Sequence, residues 1–220
     1  MLAFVTVVES ENPQARAGLR ERKKLQTRAR LIEVALELCD SQGFDATTVE
    51  QIADAADISP RTFNRYFATK EDVILAPIDD MVTAVAAALD AEPRTGNEFQ
   101  ALLNAHTAVM CGNCPAASNV DLDRFEVMNR IALSSPSVSG RGAEMSEAKF
   151  SRLSEKIAAR TGADAEDLSV RVVVTVWMSL MHLAMDRLCG PDAMQMGDAD
   201  ARAEALQSTY DAFRASVENV

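Results

Sequence analysis

Arg61 and Asn64 stand one helical turn apart directly after Ser59-Pro60, and both are of a type that reads DNA bases. A guanidinium can bridge O6 and N7 of guanine, and a carboxamide can pair with N6 and N7 of adenine, in the major groove. Thr47 and Thr48 open the preceding helix, where a hydroxyl and free backbone N–H groups can hold a phosphate. Other candidate chemistry is sparse. Cys111-Gly-Asn-Cys114 has the Cys-x-x-Cys spacing of redox exchange or of half a zinc site. A second pair is missing, and Cys39 and Cys189 are single cysteines among apolar residues. The two histidines, His106 and His182, also sit among apolar residues, as core or pocket-lining groups do. There is no phosphate-binding glycine loop, no histidine cluster at metal spacing and no nucleophile elbow, so the sequence predicts no enzyme, no metal and no cofactor.

The elements that must position these residues are legible from their start and stop signals. Thr47 and Glu50 stand three apart before Val49 and Ile52, the pattern of a reciprocal capping box, so a helix is predicted from Thr47 or Thr48 to near Ala56. Asp57 tolerates the left-handed conformation of a sharp turn, Ser59 is an N-cap, and Pro60 suits the first position of a second helix. Phe63 and Phe67 fall to the core between helices, while Tyr66 can pack its ring and still offer its hydroxyl. The stretch Thr47–Lys70 therefore reads as a helix-turn-helix. Upstream, Leu25, Ala29, Ile32, Ala35, Leu36 and Cys39 recur at spacings of three and four in a helix from Leu19 to Gln42, closed by Gly43.

Charge supports DNA contact once it is divided along the chain. Residues 1–70 hold 10 Lys+Arg against 10 Asp+Glu, and residues 71–220 hold 12 against 23, so the net of −11 belongs to the second part. Arg16, Arg20, Arg22, Lys23, Lys24, Arg28 and Arg30 face one acid, Glu21, and such a patch suffices for phosphates, with Arg20, Lys23 and Lys24 as candidates. The apolar stretch Val172–Leu188 is interrupted by Thr175, Ser179, His182, Asp186 and Arg187, so no transmembrane span of about 20 apolar residues is predicted. Met1–Val8 lacks a basic n-region and a cleavage site, which leaves residues 1–17 as a mobile arm and the protein as cytoplasmic.

Thr47, Ile52, Ala53, Ala56, Ser59, Thr62, Tyr66, Phe67, Lys70 and Glu71, with the basic run from Leu19 and the helix leading to Gly43-Phe44, resemble the DNA-binding motif of the tetracycline-repressor (TetR) family of bacterial regulators. Two residues depart from that motif. Asp57 replaces the usual glycine, and Asn64 replaces an aromatic, which changes the bases that can be read. The resemblance implies phosphate contacts by Thr62, Tyr66 and Lys70, and a second domain that holds a small molecule and moves a lever helix, here Lys70–Ala91 with Pro77 in it. The run Ser59–Asp72 and the opening Gly18–Lys24 are similar to an actinobacterial subgroup that includes mycofactocin-associated regulators, some of which are associated with acyl-coenzyme A ligands. No coenzyme-recognition residues are evident here.

Beyond Lys70 the chain reads as helices at Lys70–Ala91, Asn97–Met110, Asp121–Leu133, Gly142–Arg160, Ala165–Cys189 and Ala199–Val217, making an all-α protein of about nine helices. The expected division is 1–17 arm, 18–69 helix-turn-helix domain and 70–220 ligand-binding and dimerisation domain. Nine methionines beyond Met1, Met145, Met194 and Met196 among them, suit either plain core or a cavity for a flexible apolar or acyl-type ligand. Met81, His106, Met110, Phe125, Met128, Trp177, Met178 and Met181 are the pocket candidates. Leu180, Ala184 and Leu188 form one apolar stripe, and Leu206, Tyr210, Phe213 and Val217 another. Each fits an intramolecular core, and the resemblance implies instead a four-helix dimer interface. The reading is a ligand-responsive, homodimeric repressor on a near-palindromic operator. The alternative is a thiol-based redox sensor or oxidoreductase built on Cys111 and Cys114.

Overall fold

In the computed structural model the described residues are 13–144, 146–189 and 197–218, and they contain helices and no strand. The first unit comprises α1 (Pro13–Gln42), α2 (Val49–Ala55) and α3 (Pro60–Tyr66). The second comprises α4 (Lys70–Ile74), α5 (Ala76–Ala88), α6 (Glu98–Met110), α7 (Leu122–Ser134), α8 (Pro136–Glu144), α9 (Ser146–Thr161), α10 (Leu168–Cys189) and α11 (Ala199–Glu218). Two 3₁₀ turns, Leu89–Ala91 and Pro115–Asn119, complete it.

Eleven helices among the described residues replace the nine expected, for reasons traceable to two prolines. Leu75, at φ −82° and ψ −1°, ends α4 and begins α5, and Pro77 has no N–H to continue a ladder across that point. Pro136 occupies the first position of α8, where its missing N–H costs nothing. Helix α1 starts at Pro13, inside the stretch expected as an arm; residues 1–12 lie outside the described ones. Asp57 takes φ 56°, the left-handed conformation the turn between α2 and α3 requires.

A single apolar cluster runs through both units. Helix α5 lies at its centre against α6, α7 and α9, while α10 pairs with α11 and rests on α6 and α9. Helix α1 packs on α2, α4 and α7, so the first unit is seated on the second. The seam carries ion pairs, Arg28 with Asp80 at 2.9 Å and Arg130 with Asp40 at 3.1 Å, and within the second unit Arg141 of α8 pairs with Asp72 of α4 at 2.9 Å. The segment Leu168–Leu188 is, by length and composition, long and apolar enough to cross a membrane, despite the polar interruptions noted in sequence. Here one stripe of it, Val170, Val174, Trp177, Met181, Ala184 and Leu188, is buried against neighbouring helices.

Candidate nucleic-acid interface

The reading face is set by two caps and one buried aromatic pair. Ser59 Oγ accepts the N–H of Thr62 at 3.1 Å, which fixes the start of α3, and Pro60 follows it. Phe63 is fully buried, with Phe67 at a ring-centroid distance of 5.9 Å. Anchoring that side turns the opposite one outward, and Arg61, Asn64 and Arg65 are all exposed. Arg65 was not assigned a role in sequence. It lies four residues after Arg61, hence on the same stripe, and that spacing could have found it. Its guanidinium sits 5.5 Å from the Tyr66 ring, which is half-buried.

Several expected phosphate contacts are placed differently. The N-cap of α2 is Thr48, whose Oγ1 accepts from Gln51 N–H while Gln51 Oε1 accepts from Thr48 N–H, so the capping box is Thr48–Gln51 and not Thr47–Glu50. Thr48 remains exposed at the helix start. Thr47 is 1% exposed, and its hydroxyl donates to Gly43 O and accepts from Gln42 Nε2, so it is a core residue without reach to DNA. Lys70 Nζ donates to Phe44 O and Thr47 O, both at 2.6 Å, and lies 3.9 Å from the Phe44 ring centroid. Its charge is spent holding the α1–α2 turn onto α4. The start of α4 is also closed by the Thr69–Asp72 capping box and carries Glu71 and Asp72, so it does not present an open positive end. The Thr62 hydroxyl is 3.0 Å from Ser59 Oγ and half-buried.

On α1, Arg20, Lys23 and Lys24 are exposed, with Lys24 near Glu21 at 3.8 Å. Arg28 and Arg30 are paired with Asp80 and Glu33.

Residues 31–76 match the pattern of the bacterial regulatory proteins of the tetR family. Over 216 residues the chain is 37% identical to the HTH-type transcriptional regulator TcmR of Streptomyces glaucescens, across 94% of this chain and 93% of that protein. The chain belongs to the TetR family. It is accordingly a DNA-binding transcriptional regulator and not an enzyme. Two solved structures share its fold. The fatty acid degradation regulator FadR from Bacillus halodurans has a TM-score of 0.51 at 16% identity, covering 84% of this chain and 93% of that one. A transcriptional regulator from Pseudomonas aeruginosa PAO1 has a TM-score of 0.52 at 18% identity, covering 87% and 92%.

In this TetR-family chain the residues expected around an effector lie in the interior. Met81, His106, Met110, Phe125, Met128, Trp177 and Met181 are buried and Met178 is half-buried, and none of them lines either of two clefts on the molecule. Trp177 Nε1–H donates to His106 Nδ1 at 3.0 Å, and the His106, Trp177, Tyr210 and Phe213 rings follow one another at centroid distances of 5.2 to 6.4 Å. Burial pushes the His106 imidazole down to about 4, against the opposing effect of the Leu102 carbonyl, so it is neutral. Met145, Met194 and Met196 lie outside the described residues.

The expected dimer stripe is likewise internal. Leu180, Ala184, Leu188, Leu206 and Tyr210 are buried within the single chain, and Phe213 packs on Phe99 and Tyr210. Only Val217 is exposed. The stripe facing outward on α10 is a different one, with Leu168, Val172 and Leu183 exposed. Cys111 Sγ donates to Ala199 O at 3.2 Å, and burial raises its pKa, with Asp200 adding to the rise and Arg202 opposing it. A thiol held protonated in this way is a poor nucleophile, which counts against the redox alternative.

Proposed function

We propose that this TetR-family chain is a cytoplasmic, homodimeric repressor that binds a near-palindromic operator and is released by a small, largely apolar effector. The observation that carries the reading is the outward stripe Arg61, Asn64 and Arg65 on a helix whose other side is fixed by Phe63 and Phe67. Arg61 reads guanine and Asn64 adenine, while Thr48, Thr62, Tyr66, Arg20, Lys23 and Lys24 meet phosphates. We take residues 18–69 as the DNA-binding domain and 70–220 as the effector and dimerisation domain, with α4 and α5 as the lever between them. The exposed leucines and valine of α10, with Val217 of α11, supply the dimer face. A two-fold pair so formed sets recognition helices about 34 to 36 Å apart, one turn of DNA. Within the family the chain belongs, on the residues of Ser59–Asp72, with the subgroup that includes mycofactocin-associated regulators.

The DNA flanking the chain's own gene is the first probe. Footprinting there is expected to protect a near-palindrome. Arg61→Ala should then cost roughly 1 to 3 kcal/mol of specific affinity and relax one base position, measured by competition against scrambled duplex. Equal loss on operator and scrambled DNA would remove Arg61 from base reading.

A further inference from the structure

A groove of about 940 Å³ opens where the two units meet, walled by α1, α5, the turn after Cys114 and the start of α7. Its volume is that of a site for a small molecule. The wall is apolar over Leu25, Ile32, Ala87, Val120 and Leu122, and Leu25 is 58% exposed, a large apolar side chain with water on it. The charged groups facing the groove are Arg28 and Arg124 against Asp80, Asp121 and Asp123. Arg28 Nη1 pairs with both oxygens of Asp80, at 2.9 and 3.0 Å, and Arg124 Nε pairs with Asp121 at 3.2 Å. That leaves Asp123, exposed, as the surplus charge, and the groove is net negative by one.

Arg28 reaches beyond the groove. Its guanidinium lies 5.8 Å from the centroid of the Phe67 ring, and Phe67 is the residue that ends α3. One side chain of α1 therefore touches the lever helix through Asp80 and the recognition helix through Phe67.

We propose that this groove is an effector site for a small amphipathic monocation, whose apolar body covers Leu25 and whose charge competes with Arg28 for Asp80. The proposal rests on the ligand-responsive reading above and names its site and ligand class. Loss of the Asp80 pair frees Arg28, and with it the contact that steadies the end of the recognition helix. The field of the second unit favours the same sign: 12 Lys+Arg against 23 Asp+Glu over residues 71–220 draw a cation toward the groove. The same field repels a polyanionic acyl thioester of coenzyme A.

Calorimetry of the full chain with n-octylamine, octanoate and 1-octanol, all below aggregation, tests the site, and anisotropy of a labelled duplex from the gene's flank tests the coupling. Octylamine is expected to bind about tenfold more tightly than the other two and to weaken duplex binding. Ala87→Trp puts an indole into the groove from an exposed position. It should weaken octylamine about tenfold with melting temperature and duplex affinity unchanged. Asp80→Asn should weaken both octylamine and, without ligand, the duplex. No octylamine binding, octanoate binding as tightly, an unaltered Kd in Ala87→Trp, or binding without effect on the duplex each overturns the proposal. Failure of the unliganded chain to bind any duplex overturns the regulator reading instead, and calorimetry still decides whether the groove binds.

Discussion

On α3 the burial of one large side chain, Phe63, decides which residues face outward, whereas on α10 burial is distributed along 22 residues and decided by helices from elsewhere in the chain. The seven residues of α3 are bounded by a serine cap and a proline at one end and by Phe67 at the other, so local chemistry alone exposes Arg61 and Asn64. Trp177 of α10 meets His106, 71 positions away, and Arg160 of α9 meets Glu98, 62 away. An apolar stripe on a long helix marks a surface to be covered and does not say by what. A short capped helix thus advertises its function, and a long core helix advertises only its hydrophobicity.

The largest test of that contrast is Trp177→Ala. The indole is fully buried between α6 and α11, so its removal should cost about 3 to 5 kcal/mol of unfolding free energy. Urea denaturation checks this. A loss under ~1 kcal/mol, coupled to loss of effector response, would return Trp177 to a ligand-pocket wall.

The second is a pH effect at the same contact. His106 has a folded-state pKa of about 4 against an ordinary value of 6.5, because burial penalises its charged form. Its Nδ1 receives the indole N–H, and protonating that nitrogen would set two donors against each other. Below about pH 6.5 the unfolded chain takes up a proton that the folded chain refuses. Stability therefore holds above that pH and falls as pH drops toward 4, by up to ~3 kcal/mol from this group. His106→Gln, which keeps a neutral side chain, should flatten the slope of melting temperature over this window relative to the parent protein. An unchanged slope would place the proton uptake elsewhere.

The helix-turn-helix, its left-handed Asp57 and the core roles of Phe63 and Phe67 were legible because each depends on neighbours within a few positions. The all-helical class was legible for the same reason. Where the chain doubles back, sequence misled. Thr47 and Thr48 are chemically alike, and only the return of Gln42 onto Thr47 shows which one is buried. Lys70 looks like a phosphate ligand until Phe44 and the carbonyl of Thr47 are brought beneath it. The Met-rich helices left core and cavity open in sequence, because thioethers fill cores and line pockets equally well. The groove at the seam escaped notice because its residues come from four separate elements.

Lys70 offers the smallest effect and the sharpest separation between the two kinds of reading. Two charge-assisted bonds at 2.6 Å hold the turn between α1 and α2 to the start of α4, and the ammonium lies over the Phe44 ring. Removing it leaves two backbone carbonyls short of a donor, so Lys70→Ala should cost roughly 1 to 3 kcal/mol of stability. Lys70→Met keeps the stem over the ring and should recover a part of that loss, isolating what the charge contributes. A phosphate ligand behaves otherwise: its removal flattens the salt dependence of DNA binding by about one unit and leaves stability nearly unaltered. Lys23→Ala, on the exposed face of α1, is expected to follow that second pattern. Measuring melting temperature and the salt slope on both variants sets the two lysines against each other. If Lys70→Ala flattens the slope as much as Lys23→Ala while the fold stays as stable as before, then the bonds to Phe44 and Thr47 open on DNA, and Lys70 belongs with the phosphate contacts after all.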